Sequence, residues 1–463
     1  MPVSYPFLEQ TFSKLKEYKR IHEVNPMFQP RLKIKMKSSM PESLKLAWDL
    51  AVFETESNLK SCPYGGEYFT AGGRGGWHNM LFGQDTVGTA LLSFNRLYPD
   101  EMKKHIRAYV LARLNIGFMC PNNWVLENCS KSIGLDMDAW VPDSREFIER
   151  YFMSPALNRT GMDVGWIWAA GDLFDTCGDR MDWGWLFGMG ELFFEHFYQP
   201  FFDEKDGLYF GQASFIDVGG NGYPPAFGNR DQKSRNAGVW IKASSTNALY
   251  VRSMDVLSHA AKVLGRKADA DKWQNRANAL RKAIRDHLRF PDGSFTYFMS
   301  RDGRLEERRE ALGAAFCILA DVVTGEEALR ALAFDKLPQS KAGVALFYPF
   351  YEDNPKCYHS RSAWPFASTF YYMACEKVTG KSYLEPDAIQ LANAITVPDR
   401  ASFKPHEIGS PEDYLTGTFK EVINYETELP IGVSAQSWTL AAFFNLCLRH
   451  GWVDADLPCS RFW

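Results

Sequence analysis

NALYVRSMDVLSHAAKVLGRKADADKWQNRANALRKAIRDHL, residues 247–288, decides the fold. Its second half places Trp273, Ala277, Leu280, Ile284 and Leu288 at intervals of four, three, four and four, with Lys, Arg, Asp and Asn between them. That spacing is one apolar face of a helix. Its first half carries Leu249, Met254, Leu257, Ala261 and Leu264 in the same manner and stops at Gly265, a residue suited to closing a helix with left-handed backbone. Two helices joined by so short a turn form an αα-hairpin.

The same punctuation recurs. Cys177-Gly178-Asp179, Thr324-Gly325-Glu326 and Thr379-Gly380-Lys381 each end one helical stretch and open the next, at spacings too unequal for a solenoid repeat. Helices are also expected over Leu44 to Leu59, with Pro41 in the first turn, and over Ser437 to His450. Between helices lie long loops rich in Gly, Pro and aromatics, at Cys62–Gly83, Gly211–Asn236 and Ser402–Gly432, and loops of this length in a compact domain usually carry function. Leu32-Lys-Ile-Lys-Met-Lys37 alternates with period two, as an exposed edge strand does. Residues 1–42 are therefore read as an N-terminal extension and 43–463 as a single all-α domain, since no linker interrupts the remainder.

Composition narrows the function. Apolar residues make up 46% and charged residues 23% of the 463, a globular mix with material for a large core. The 52 Lys and Arg against 56 Asp and Glu leave a formal charge of −4 with no basic block, which argues against a nucleic-acid or anionic-membrane partner and for a neutral substrate. Aromatics reach 15%, with 14 Trp, and such rings stack well on the CH faces of sugars, although most of them serve the core. No apolar run approaches a membrane span and the start lacks a secretory pattern, so a cytoplasmic location is expected. Nine Cys scattered from Cys62 to Cys459 without a Cys-x-x-Cys pair suit reduced thiols rather than a disulfide framework or a metal site.

Five segments carry chemistry. Thr70-Ala-Gly-Gly-Arg-Gly-Gly-Trp77 followed by Phe82-Gly-Gln-Asp-Thr86, Met162-Asp-Val-Gly-Trp-Ile-Trp168, Gly211-Gln-Ala-Ser-Phe-Ile-Asp-Val218 with Trp240 to Tyr250, Tyr358-His-Ser-Arg-Ser-Ala-Trp-Pro-Phe366, and Lys420 to Trp438 occur in this order. Together they resemble the six-hairpin (α/α)6-barrel glycosidases, the glucoamylase, glycogen-debranching and trehalase-like enzymes. The resemblance implies an (α/α)6 toroid and an inverting, exo-acting glycoside hydrolase that removes an α-linked sugar with two carboxyl groups and no metal or organic cofactor. Asp217 falls on the family's general acid, and its neighbours Phe215, Ile216 and Val218 would desolvate a carboxyl and keep it protonated. An Asp beside Gly219-Gly220-Asn221-Gly222 is also an ordinary turn residue.

Glu421 stands eleven residues before Gly432 of a Gly-x-x-x-Gln-x-Trp motif, the family's spacing for the general base, with Glu426 and Glu428 as rivals in the same loop. The resemblance further implies sugar contacts at Trp77, Gln84, Asp85, Asp163, Trp166, Trp240, Lys242, Asn247, His359, Trp364 and Trp438. Gln84 replaces the family's usual Arg and Phe215 its usual Trp. Asp85 could equally cap a helix starting at Thr86, at least one of Trp166 and Trp168 should be core, and His359 could be a structural hydrogen-bonder. Sugar phosphorylases, epimerases and a non-catalytic carbohydrate-binding relative remain the alternatives on the same fold.

Overall fold

The computed structural model describes residues 29–61, 66–74, 81–116, 163–214, 241–335, 337–340, 343–352, 359–380, 395–396, 418–426, 430–455 and 460–463. Helix α1 spans Glu42–Ser57, and α2 runs Gly83–Thr89, then through a π-helical turn Ala90–Phe94 to Asn95–Leu97. They are followed by α3 (Pro99–Ile116), α4 (Trp166–Cys177), α5 (Arg180–Phe193), α6 (Ser244–Leu264), α7 (Lys267–His287), α8 (Ala311–Leu319), α9 (Gly325–Asp335), α10 (Pro365–Thr379) and α11 (Ser437–Arg449).

Six of these close a ring: α2 touches α4, α4 touches α6, and the contacts continue through α8, α10 and α11 back to α2. The six-hairpin expectation holds. Inner helices covered from all sides must be apolar all round, and α8, Ala-Leu-Gly-Ala-Ala-Phe-Cys-Ile-Leu, is buried at every position. Outer α7 buries only Ala270, Trp273, Ala277, Leu280, Ala283 and Ile284, the seam its period announces, and packs on α6. Close approach inside the ring needs small residues: a Cβ on Gly171 of α4 would stand 2.5 Å from Val256 Cγ1 of α6.

The turns behave as their sequences indicate. Gly265 ends α6 with φ of 79°, and Asp179 opens α5 by accepting from the Asp182 backbone N–H at 2.9 Å while Asp182 reciprocates, a capping box. The ring is joined across its ends by Ser93 Oγ donating to Ala441 O at 2.9 Å and Asn445 Nδ2 to Leu92 O at 2.7 Å. Beneath it the last residues form a clasp: Trp463 Nε1 donates to Asp172 at 2.7 Å, Asp172 also accepts from Arg96 at 2.6 Å, and Arg461 pairs with Asp175 at 2.6 Å.

Sequence periodicity did not announce the sheet. Strands β1 (Gly72–Arg74), β2 (Ser362–Ala363), β3 (Ile395–Thr396), β4 (Thr418–Asn424) and β5 (Pro430–Gln436) form an antiparallel sheet in the order β2-β4-β5-β1, with β3 also on β4. Part of the expected Ser402–Gly432 loop is thus a β-hairpin. The Leu32–Lys37 segment is extended but not a free edge: Met36 bridges Val453, and Lys37 N–H donates to Trp452 O at 2.7 Å. No helix among the described residues is long and apolar enough to cross a membrane. Cys177, Cys317, Cys375 and Cys447 are free thiols, the last three buried.

Candidate active site

Among the described residues α2, α4, α6 and α8 are each followed by an outer helix, α3, α5, α7 and α9, and the first turn of α2 is joined to the start of α11 by the Asp85–Gln436 hydrogen bond, so the starts of the inner helices share one end of the ring. That end gathers the residues singled out in the sequence. Gln84 and Asp85 lie in the first turn of α2, Asp163 just before α4, Lys242 before α6 and Asn247 in its first turn, Trp364 at the start of α10 and Trp438 in the first turn of α11. Helix N-termini present orphan N–H groups and the positive ends of their dipoles, which favours carboxylates there. Glu310, buried at the start of α8, belongs to the same circle, and no motif had marked it. Asp217, Trp77, Trp240 and Glu428 lie outside the described residues.

Glu421 sits on β4 where the pairing with β5 shifts between Lys420 and Val422. A bulge of this kind re-aims one side chain relative to its neighbours. The carboxylate is 6% exposed, and Oε2 accepts from the Val433 backbone N–H at 3.1 Å. Lys420 is turned to Ser434 Oγ at 3.0 Å and Gly432 O at 3.2 Å. Glu426, the nearer rival, stands exposed at the hairpin end and pairs with Arg361.

Asp85 is held by a residue the sequence reading quoted without selecting. Gln436 Nε2 donates to Asp85 Oδ1 at 2.9 Å. Its aim is fixed by the preceding Ala435, whose φ of 52° costs a non-glycine residue on the order of 1–3 kcal/mol. A hydrogen-bond set holds that conformation: Ala435 N–H donates to Thr418 Oγ1 at 2.9 Å, and Asn58 Nδ2 donates to Ala435 O at 2.8 Å and to Ser437 Oγ at 2.9 Å. Asp85 does not cap a helix starting at Thr86, because α2 begins earlier, at Gly83. Thr86 instead anchors the turn, donating to Phe82 O at 2.8 Å.

Several sequence candidates have other tasks. Asp163 accepts from Arg113 Nε and Nη2, each at 3.0 Å, and from Tyr109, whose phenol burial and the Asp163 charge push well up, so it remains a donor. Trp166 and Trp168 are both 0% exposed, so both rings are core, and Trp166 Nε1 donates to Tyr198 Oη at 3.2 Å. Lys242 is buried with its ammonium on Asp203 at 2.6 Å and on Asp206. The Asn247 amide accepts from Tyr209 N–H at 2.8 Å and donates to Tyr209 O at 3.0 Å and Ala243 O at 2.9 Å, a clamp between segments. His359 stacks on Trp364 with ring centroids 5.5 Å apart, and Trp438 stacks on Phe366 at 4.4 Å and meets Trp364 edge-on at 5.7 Å. These rings form a buried wall beside α10 and α11.

Two histidines near this end are neutral by burial. His105, pushed down to about 3, accepts from Phe69 N–H at 3.0 Å through Nδ1, so Nε2 carries the hydrogen toward Thr86 Oγ1 at 2.9 Å. His359 is pushed down to about 4. A folded-state pKa below the unfolded value near 6.5 means that the unfolded chain binds more protons, so stability is complete above pH 6.5 and falls as pH drops through the interval. At pH 4.5 each should cost roughly 2–3 kcal/mol. Urea midpoints measured from pH 7 to pH 4 should decline accordingly, with a shallower decline in His105→Gln; an equal slope in that variant would refute the assignment.

Residues 225–439 match a family model described as the mannosylglycerate hydrolase MGH1-like glycoside hydrolase domain. A GH63 mannosylglycerate hydrolase from Thermus thermophilus, solved with glucose, is similar with a TM-score of 0.56 at 12% identity over 85% of this chain and 98% of that one. A structure described as a sialidase gives 0.59 at 12% identity over 96% of this chain and 38% of that one. A GH78 rhamnosidase of Bacillus sp. GL1 gives 0.50 at 16% identity over 92% and 36%. The chain spans little more than a third of the latter two. No curated protein matches the sequence. The solved structures share this chain's fold, and residues 225–439 match a glycoside hydrolase domain model.

Proposed function

We propose that the chain is an inverting, exo-acting glycosidase that removes an α-linked sugar from a neutral oligosaccharide or glycoside. Asp217 delivers a proton to the departing oxygen, and Glu421 takes one from a water on the opposite face of the ring. Two carboxyl groups suffice for this chemistry without a metal or organic cofactor. Asp85, oriented by Gln436, accepts hydrogen bonds from hydroxyls of the sugar being cleaved, and Trp77, Trp240 and Gln84 complete its surroundings. The observation that carries the reading is the placement of Glu421, singled out by the bulge and held by the Val433 N–H at the end of the ring where the inner helices begin.

The test is turnover on paired α- and β-configured disaccharides and aryl glycosides, with the product anomer followed by proton NMR before mutarotation. Release of single sugars with inverted configuration is expected. Retained configuration would place a nucleophile where the reading has a base, and release of internal fragments would end the exo assignment.

A further inference from the structure

Outside the buried floor of the site, the same end of the ring carries a cluster that the proposed chemistry does not use. Tyr348 and Ile431 are each 39% exposed. Tyr348 meets Phe350 edge-on with ring centroids 5.4 Å apart, and Phe350 meets Tyr425 at 5.5 Å. The Arg361 guanidinium lies 5.5 Å from the centre of the Phe350 ring and pairs with the exposed Glu426. Three segments are brought together here: Tyr425 N–H donates to Arg361 O at 2.8 Å, and Ser362 of β2 pairs with Asn424 of β4.

Arg361 is the unexpected member. Its φ is 54°, where a long side chain normally gives way to glycine, and its Nε is a buried donor without an acceptor. A cost of that kind is retained where the side chain has a task. The cluster also lies in line with the candidate base. Tyr425 directly follows the last residue of β4, four residues beyond Glu421 and about 13 Å from it at strand rise, and Ile431 pairs with Val422.

We propose that Tyr348, Phe350, Tyr425, Arg361 and Glu426 form a subsite for the leaving group, and that this leaving group is a neutral sugar. The inference rests on the exo-glycosidase reading, in which the cleaved sugar sits deep among the helix N-termini and only the leaving group extends to the rim. Exposed rings offer an apolar face to sugar CH groups. The Arg361–Glu426 pair offers donors and an acceptor side by side, as a polyol requires. A carboxylate-bearing leaving group would have to displace Glu426 from Arg361 and then face its charge.

The experiment compares wild type with Tyr348→Ala, Arg361→Gly and Glu426→Gln. The substrates are gluco- and manno-configured disaccharides, glycosyl fluorides of both anomers, and glycosides of glyceric acid. In Tyr348→Ala and Arg361→Gly the ratio of kcat/KM for disaccharide to that for fluoride should fall about ten-fold, and wild type should prefer the disaccharide to the glycerate by a similar factor. Glu426→Gln should narrow that preference. Equal losses on fluoride and disaccharide, or a preference for the glycerate abolished by Arg361→Gly, would overturn the proposal. If wild type hydrolyses no fluoride, the glycosidase reading itself fails. Calorimetric titration with the disaccharides then decides the subsite: binding weakened by Tyr348→Ala supports it, and unaltered binding overturns it.

Discussion

Replacing Glu421 by Gln is expected to lower kcat by roughly 10³–10⁴-fold with little change in KM, because the amide keeps the shape and can still accept from the Val433 N–H but cannot take a proton from water. Azide should not restore activity through a product of opposite anomeric configuration, as it does when the lost group is a nucleophile. The geometric counterpart is a separation from Asp217 of about 6.5–9.5 Å, rather than the roughly 5–5.5 Å of a retaining pair. Near-normal turnover in Glu421→Gln with loss in Glu428→Gln would move the base within the hairpin. Glu426→Gln should have the milder effect described for the rim, since that carboxylate is exposed and paired with Arg361.

Asp217→Asn should show a different signature. Without a proton donor, substrates with poor leaving groups should lose about 10²–10⁴-fold in kcat, whereas glycosyl fluorides, whose departure needs less assistance, should lose far less. A uniform loss across leaving groups would take the acid role from Asp217. Asp163, expected as a sugar contact, is no replacement acid, since both its oxygens are engaged by Arg113 and one also by Tyr109. Asp163→Ala should therefore appear chiefly as instability, roughly 3–5 kcal/mol, because it leaves the buried Arg113 guanidinium uncompensated. Chemical denaturation of the two variants separates the roles.

What the sequence disclosed follows from the range of the interactions involved. The α6–α7 hairpin was legible because its signal is local: one apolar face, then Gly265 in left-handed backbone. The Asp179 cap was legible for the same reason. The β4–β5 hairpin was not, since β4 is buried along nearly its whole length and so shows no clean alternation, and β5 pairs on its other side with β1, more than three hundred residues earlier. The motifs gather at one end of the ring but do not disclose the partners of each side chain. Asn247 faces Tyr209 and Ala243, and Lys242 faces Asp203 and Asp206, partners that no motif names. Gln436 acquires its role only through Asp85.

That last pair also bears on how the protein is made. Asp85 and Gln436 are separated by 351 residues, and the contacts between α2 and α11 that close the ring span similar distances. At about 5–20 residues per second a ribosome needs roughly 18–70 s to produce the second partner after the first. Through that interval the apolar flank of α2 that α11 will cover has no native neighbour, and the nascent chain carries an incomplete ring. Closure is a late, long-range event with a large loop entropy to overcome. A variant that weakens the α2–α11 seam should betray itself in the yield of folded protein during synthesis before it does so in the stability of the finished molecule.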